Sequence, residues 1–392
     1  MNRNLALLSL CQGLFLTNNI TFIAINGLVG LVLAPYAWMA TLPMMGYVLG
    51  GAVFADLVAK LHSDLGRRRS FLIGIVIAVV SALICLIASL QKSFVLLLLG
   101  TFLAGFYQAN GHLYRFAAAE ISNPASKEKA VSWVLAGGLL GAIIGPNLAS
   151  YTKNSLDTVF SGSYLALAAI GAIALLLMSW IRFPQLSKSA PAQISNATPT
   201  ALIRRPVFLV CIVIAALSYG VMNLLMAATP LAMETCGYPF SDTALVLEWH
   251  VIGMFAPGFF TGHLIKRFGS VPIMFVGLIL YLGCIIVALS GQDLHQFLIA
   301  LFALGVGWNF LFTASTTLSL SSYSPEERDK AQALINKGVF IVMAFSSFGA
   351  GALVTTQGWT WLNIGSTVPT VLMLFALVWF IFFRKTKQLS GS

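Results

Sequence analysis

Apolar runs of about twenty residues or more, broken by short polar loops, recur along the whole chain. They do not alternate residue by residue, which excludes a transmembrane barrel. Their length suits helices crossing a hydrocarbon layer of about 30 Å. The pattern predicts twelve spans, at 5–33, 36–59, 70–90, 94–118, 130–151, 161–181, 206–229, 241–265, 271–291, 294–320, 330–356 and 361–383. The longest break, 182–205, is polar, carries Pro191 and ends on Arg204 and Arg205. It reads as a linker. The expected organisation is a six-helix half at 1–181, a linker at 182–205 and a second six-helix half at 206–392. The fold class is therefore an all-α membrane protein of twelve helices in two halves.

Two loops support a duplication. Pro124-Ala125-Ser126-Lys127-Glu128-Lys129-Ala130 returns 201 residues later as Pro325-Glu326-Glu327-Arg328-Asp329-Lys330-Ala331. Leu61-His62-Ser63-Asp64-Leu65-Gly66 returns as Leu264-Ile265-Lys266-Arg267-Phe268-Gly269, with the glycines 203 residues apart. The first apolar stretch completes this repeat, so it is read as a span and not as a leader. Duplicated bundles of this kind enclose a site at their interface, near the bilayer midplane.

Composition agrees with this reading. Of 392 residues, 58% are hydrophobic and 9% charged, too few charges to cover a water-soluble globule. The net charge of +10 does not point to nucleic acid, because the cations sit in loops. With the N-terminus in the cytoplasm, 18 of 22 Lys and Arg fall on the cytoplasmic side and only Lys92 and Lys153 outside. That bias puts both termini on the cytoplasmic side, and the expected location is a bacterial inner membrane. The five cysteines, 11, 85, 211, 236 and 284, form no CxxC pair, and a disulfide framework is not expected. No Walker loop is present, so ATP does not drive the process. No nucleophile–base motif marks an enzyme, and no prosthetic group is implied.

The loop Ala59-Lys60-Leu61-His62-Ser63-Asp64-Leu65-Gly66-Arg67-Arg68 resembles the signature loop of the major facilitator superfamily. Ala59 stands where that loop has its first glycine, and Asp64 comes one residue late. The resemblance implies a secondary transporter whose halves rock around a central site. In the fifth span, Gly141-Ala142-Ile143-Ile144-Gly145-Pro146 resembles a motif of proton-coupled exporters in that superfamily.

The second half holds an unusual set of donors. Met222 and Met226 lie on one face of the seventh span, and His250 and Met254 on one face of the eighth. Helical rise puts Met222 about 11 Å and His250 about 14 Å below the outer edge. Soft thioethers with an imidazole suit Cu(I), and a histidine inside a membrane span is a functional-site hypothesis in its own right. Shifting these four positions back by 201 gives Thr21, Ile25, Leu49 and Val53, so the scaffold repeats but the donors do not. The paired motifs resemble those of the CcoA-like copper importers, a branch that also contains riboflavin-transporting relatives. The resemblance implies copper as a candidate substrate, carried past Met222, Met226, His250 and Met254. Cys236 and Met233, near the outer mouth, are capture candidates.

Other polar groups suit an organic substrate. Asn19, Gln108, Asn110, Arg115, Trp308, Asn309 and Lys337 fall within spans; amides and aromatic rings can hold a flavin by hydrogen bonds and stacking. Glu248 and Asp56 are the candidate proton carriers, since a carboxyl group in low dielectric holds its proton more readily. Copper uptake is the leading expectation. Import of a small organic molecule such as riboflavin, or proton-coupled export, is the alternative. The expected surroundings are lipid and a small substrate, with no nucleic acid.

Overall fold

A computed structural model describes residues 3–122, 127–183 and 199–389. These fold into helices: α1 (Arg3–Leu33), α2 (Leu42–Leu90), α3 (Phe94–Gly111), α4 (Tyr114–Glu120), α5 (Lys127–Thr152), α6 (Ser161–Ser179), α7 (Pro199–Ile203), α8 (Pro206–Thr235), α9 (Phe240–Phe255), α10 (Gly258–Phe268), α11 (Ser270–Ser290), α12 (Leu294–Ser319), α13 (Arg328–Thr356) and α14 (Gly358–Leu389). No strand occurs among the described residues. Most of the linker, 184–198, and the start of the first repeated loop, 123–126, lie outside the described residues.

Among the described residues, thirteen of these helices make twelve spans, α7 being too short to cross. At about 74 Å, α2 is twice the length a bilayer needs. It is two spans joined at Gly66, whose backbone (φ 78°, ψ 167°) leaves the helical region. Only glycine adopts that conformation readily. The pattern predicted a loop from 60 to 69; the structure narrows it to this one residue. Gly269 (φ 87°, ψ 161°) makes the same break between α10 and α11. The duplication seen in the sequence is thus retained as matching backbone geometry.

Two predicted spans are broken. The fourth is split at His112 and Leu113 into α3 and α4. The eighth bends by 40° between α9 and α10, where Pro257 cannot donate a helical hydrogen bond and crowds the turn before it. The short α7 falls inside the predicted linker, and its Leu202 is buried against Phe208 and Ala331 of the second half.

Glycines set the closest helix approaches, as expected where lipid supplies no drive for association. A side chain on Gly105 would meet the α2 backbone at Gly50, and one on Gly305 the α9 backbone at His250. Gly141 and Gly145, from the exporter-like motif, press on Leu16, Thr17 and Ile20 of α1. Thr21 donates to the Gly145 carbonyl.

An even number of spans puts both termini on one face, called here the terminal face. Between the halves α2 packs on α13, α5 on α9 and α1 on α8. Side-chain contacts along these seams lie toward the far face. The Gly351 amide donates to Thr41 Oγ1 at 2.9 Å. Phe160 meets Phe240 edge-on at 4.9 Å, with Lys153 Nζ over both rings. Asn147 Nδ2 donates to Glu248 Oε2 at 2.8 Å. At the terminal face each half is tied internally, by Arg67 to Glu120 and Arg205 to Glu327.

Candidate substrate cavity between the halves

The centre of the molecule is built from aromatic rings on both halves. In the second half, Trp308 and Phe312 of α12 stack at 5.4 Å, and Tyr219 of α8 meets both edge-on at 5.2 and 5.5 Å. In the first half, Phe15 meets Tyr107 at 5.2 Å and Phe22 stacks on Tyr47 at 5.5 Å. Tyr219 and Phe312 pack in one apolar cluster with Val48, the residue after Tyr47 on α2. The two aromatic groups therefore face one space.

Eight buried polar atoms have no hydrogen-bond partner among the described residues, and they include Asn19 Oδ1, Tyr47 Oη, Gln108 Oε1 and Trp308 Nε1. Asn19 shares the α1 face that carries Phe15 and Phe22. Gln108 Oε1 lies over Gly51, 2.5 Å from where a Cβ would stand, and Phe340 of α13 closes the same spot at 3.6 Å. Leaving a buried polar atom unpaired costs about 1–3 kcal/mol. Several together are groups waiting for a ligand or water.

Other sequence candidates are already satisfied. Asn110 pairs with His62 Nε2 at 3.0 Å and donates to the Ser70 carbonyl. Asn309 accepts from Thr261 and donates to the Met254 carbonyl, both at 2.7 Å. Each of these asparagines joins helices within its own half. Arg115, Lys337 and Asp56 are exposed. The Arg115 guanidinium lies over the ring of the adjacent Phe116, 4.9 Å from its centre. Tyr47 and Tyr219 were missed in the sequence, whereas Tyr107 stands among its polar candidates for an organic substrate. A tyrosine within a span is common, and only its opposite number across the seam marks it.

The thioether and imidazole donors are arranged differently from the sequence expectation. Met222, Met226, His250 and Met254 are all buried. The ring of His250 points at α12, its Nδ1 2.6 Å from the Leu301 carbonyl. It therefore sits in the α9–α12 contact, with Nε2 buried and without a partner. Among the described residues no three His, Cys, Asp or Glu side chains come together as metal ligands. Met233 is fully buried, so it does not lie open at the mouth. Cys236 is exposed and donates to Gln292 Oε1 at 3.0 Å, and partial burial pushes its thiol above the ordinary range. Of the two candidate proton carriers, Glu248 is half-buried in the seam against Asn147, whereas Asp56 is open to solvent.

Comparisons with known proteins fit this geometry. The Major Facilitator Superfamily profile matches residues 5–256 and 249–392. The riboflavin transporter RfnT of Brucella anthropi (strain ATCC 49188) is 36% identical over 363 residues, covering 92% of this chain and 91% of that protein. The MFS-type transporter YddS of Bacillus subtilis (strain 168) is 28% identical over 371 residues, covering 89% and 84%. Among solved structures, a variant of the nucleoside transporter NupG superposes with a TM-score of 0.75 at 14% identity, covering 97% of this chain and all of that one. A bacterial homologue of the human lysosomal transporter Spinster, in an inward-facing and unoccupied conformation, gives 0.72 at 15% identity, covering 97% and 96%. Twelve spans in two repeated halves, a polar and aromatic space between them and a profile match across nearly the whole chain agree: the chain belongs to the major facilitator superfamily and is a non-enzymatic, alternating-access membrane transporter.

Proposed function

We propose that this transporter carries a small aromatic organic solute of the flavin type, riboflavin first, into the cytoplasm. The observation behind this reading is the ring of unpaired buried polar atoms, Asn19 Oδ1, Tyr47 Oη, Gln108 Oε1 and Trp308 Nε1, set among aromatic faces from both halves. A flavin offers a flat ring for Trp308 and Tyr219 to stack on. It also offers ring amides and a hydroxylated chain to meet those atoms. The likeness to a riboflavin transporter over most of the chain supports the same substrate class. The 18-to-2 bias of cations supports a cytoplasmic terminal face, in a membrane we read as a bacterial inner membrane. The central space then opens to the cytoplasm in this conformation, since the seam contacts lie toward the opposite side.

The organic substrate displaces copper as the leading reading. One nitrogen of His250 is held by the Leu301 carbonyl within the second half. Copper stays as a second reading on one observation, the buried and unpartnered Nε2 of that ring beside a helix carrying spaced thioethers. Gly141 and Gly145 are accounted for by the packing of α1 on α5, which leaves the exporter reading without a feature of its own.

The test is uptake of labelled riboflavin, and separately of radioactive copper, in cells expressing wild type, Trp308→Ala or His250→Ala. Saturable riboflavin uptake lost in Trp308→Ala supports the proposal. Copper uptake lost in His250→Ala, with no riboflavin uptake, overturns it.

A further inference from the structure

A groove of about 360 Å³ runs between the early turns of α1 and α5. Ala6 and Leu10 line it from α1, and Trp133, Ala136, Gly137 and Leu140 from α5. Gly137 lies deepest, where any Cβ would strike the Ser9 backbone. Leu10, Trp133 and Leu140 are exposed. The hydroxyl of Ser9, which also lines the groove, is already bonded to the Leu5 carbonyl at 2.9 Å, so the wall offers a polar solute nothing. Arg3, Leu10 and Val32 are exposed along one side of α1, and helical spacing puts Asn19 on the other. The groove therefore faces lipid and not the central space.

Both helices start at the terminal face, so the groove occupies the leaflet on that side. Its mouth is basic. Arg3 precedes Ala6 and Leu10 by about 5 and 10 Å of rise on one face of α1. Asn4, next to it, bonds the Arg182 backbone in both directions, at 3.0 and 3.4 Å. A second exposed guanidinium is thereby brought to the start of α1. Neither arginine joins an ion pair among the described residues.

We propose that this groove binds an anionic phospholipid of the terminal-face leaflet, with one acyl chain between α1 and α5 and the phosphate on Arg3 beside Arg182. The groove's volume, spread over the rise of about 10 Å from Trp133 to Leu140, leaves a channel about 6 Å wide. A neighbouring protein helix, about 10–12 Å across, does not enter it; a single hydrocarbon chain does. The charge at the mouth selects the headgroup, since each arginine near the surface favours an anionic lipid about fivefold. The indole of Trp133 sits at the depth where tryptophan meets the headgroup region. The site is independent of the solute that the transporter carries.

The experiment is quenching of tryptophan fluorescence by brominated lipids, on the full chain in nanodiscs. Phosphatidylglycerol and phosphatidylethanolamine with the same dibrominated chains are each titrated into a phosphatidylcholine background. The Trp133 signal is the difference between wild type and Trp133→Phe. Half-quenching of that signal is expected at about a fivefold lower mole fraction of phosphatidylglycerol than of phosphatidylethanolamine. Arg3→Gln with Arg182→Gln should bring the two lipids within about twofold, and lysines at both positions should keep most of the preference. Ala136→Phe, which fills the groove, should also remove the preference, because the chain no longer brings bromine to Trp133. Melting in phosphatidylcholine alone checks the fold of each variant, and Leu10→Phe on the opposite wall replaces an Ala136→Phe that fails this check.

Equal half-quenching by the two lipids in wild type overturns the inference. So does a preference that survives the double glutamine variant. Reversal of the quenching by glycerol 1-phosphate overturns it in favour of a free phosphate site. A Trp133 signal that neither lipid quenches overturns it in favour of a second copy of the chain covering this face.

Discussion

Trp308 and Asn309 are neighbours in sequence with opposite prospects under substitution. The indole Nε1 of Trp308 is buried and unpaired, whereas both ends of the Asn309 amide are bonded. Trp308→Phe keeps the stack on Phe312 and removes only the donor. Flavin affinity should fall about fivefold to tenfold, the worth of one hydrogen bond, with little change in melting temperature. Asn309→Ala should do the reverse. It strips partners from Thr261 and from the Met254 carbonyl and costs about 1–3 kcal/mol of stability, while binding per folded molecule holds. Paired titration and thermal melts on the two variants check this. The sequence showed both residues as polar groups at the right depth. It could not separate them, because satisfaction depends on what the neighbouring helix brings. Gln108 and Asn110 divide in the same way, one over Gly51 with a free oxygen and the other locked to His62.

Individual helices were legible from apolar length, and their breaks from glycine and proline. The break at Ala256, Pro257 and Gly258 was visible as residues, yet apolar length alone carried the eighth span through it. Gly66 and Gly269 share one backbone conformation, and neither has close neighbours where a Cβ would stand. The cost of alanine there is conformational, about 1–3 kcal/mol at either position. Gly66→Ala and Gly269→Ala should lower stability by similar amounts, as melting in nanodiscs would show.

The pairing of α2 with α13 gives a second prediction at this scale. Thr41 meets Gly351 and Gly51 meets Phe340. Continued toward the terminal face, that register brings Asp56 opposite Ile335 and Asn336, next to Lys337. Cysteines replacing Asp56 and Lys337 should be joined by a short bifunctional reagent when the terminal face is closed, and transport should stop. The bond at the start of α8 adds a pH dependence. The Arg205 guanidinium, helped by the Ser324 amide, holds the Glu327 carboxyl down at about 2. A carboxyl lowered on folding stabilises fully above its ordinary range near 4.5 and loses that contribution as pH falls toward 2. The melting difference between wild type and Glu327→Gln should shrink over that interval.

At the scale of the whole molecule, the seam contacts belong to one of two arrangements. Phe160 on Phe240, Lys153 over both rings and Asn147 on Glu248 hold the far face shut. Phe240→Ala removes a partner from this state alone and should shift the population toward the other. Leu231, buried beside Gly27 on the α1–α8 seam, offers the readout. A cysteine at Leu231, in a background lacking Cys236, should react several-fold faster with a reagent applied to the far face when Phe240→Ala is present. The two-half plan was readable from the repeated loops. The seam was not, since it is formed by residues up to about 310 positions apart that carry no motif.

Pro257 cuts the eighth span into α9 and α10, while the position 203 residues earlier, Phe54, lies in an unbroken stretch of α2. The repeat is therefore mechanically unequal. One lobe carries a joint inside a wall of the passage, and the other carries a stiff rod at the matching place. Symmetric rocking of two rigid bodies would leave that joint idle. With it, the second lobe can fold its lower segment separately, so that release of cargo and swinging of the lobes become distinct movements.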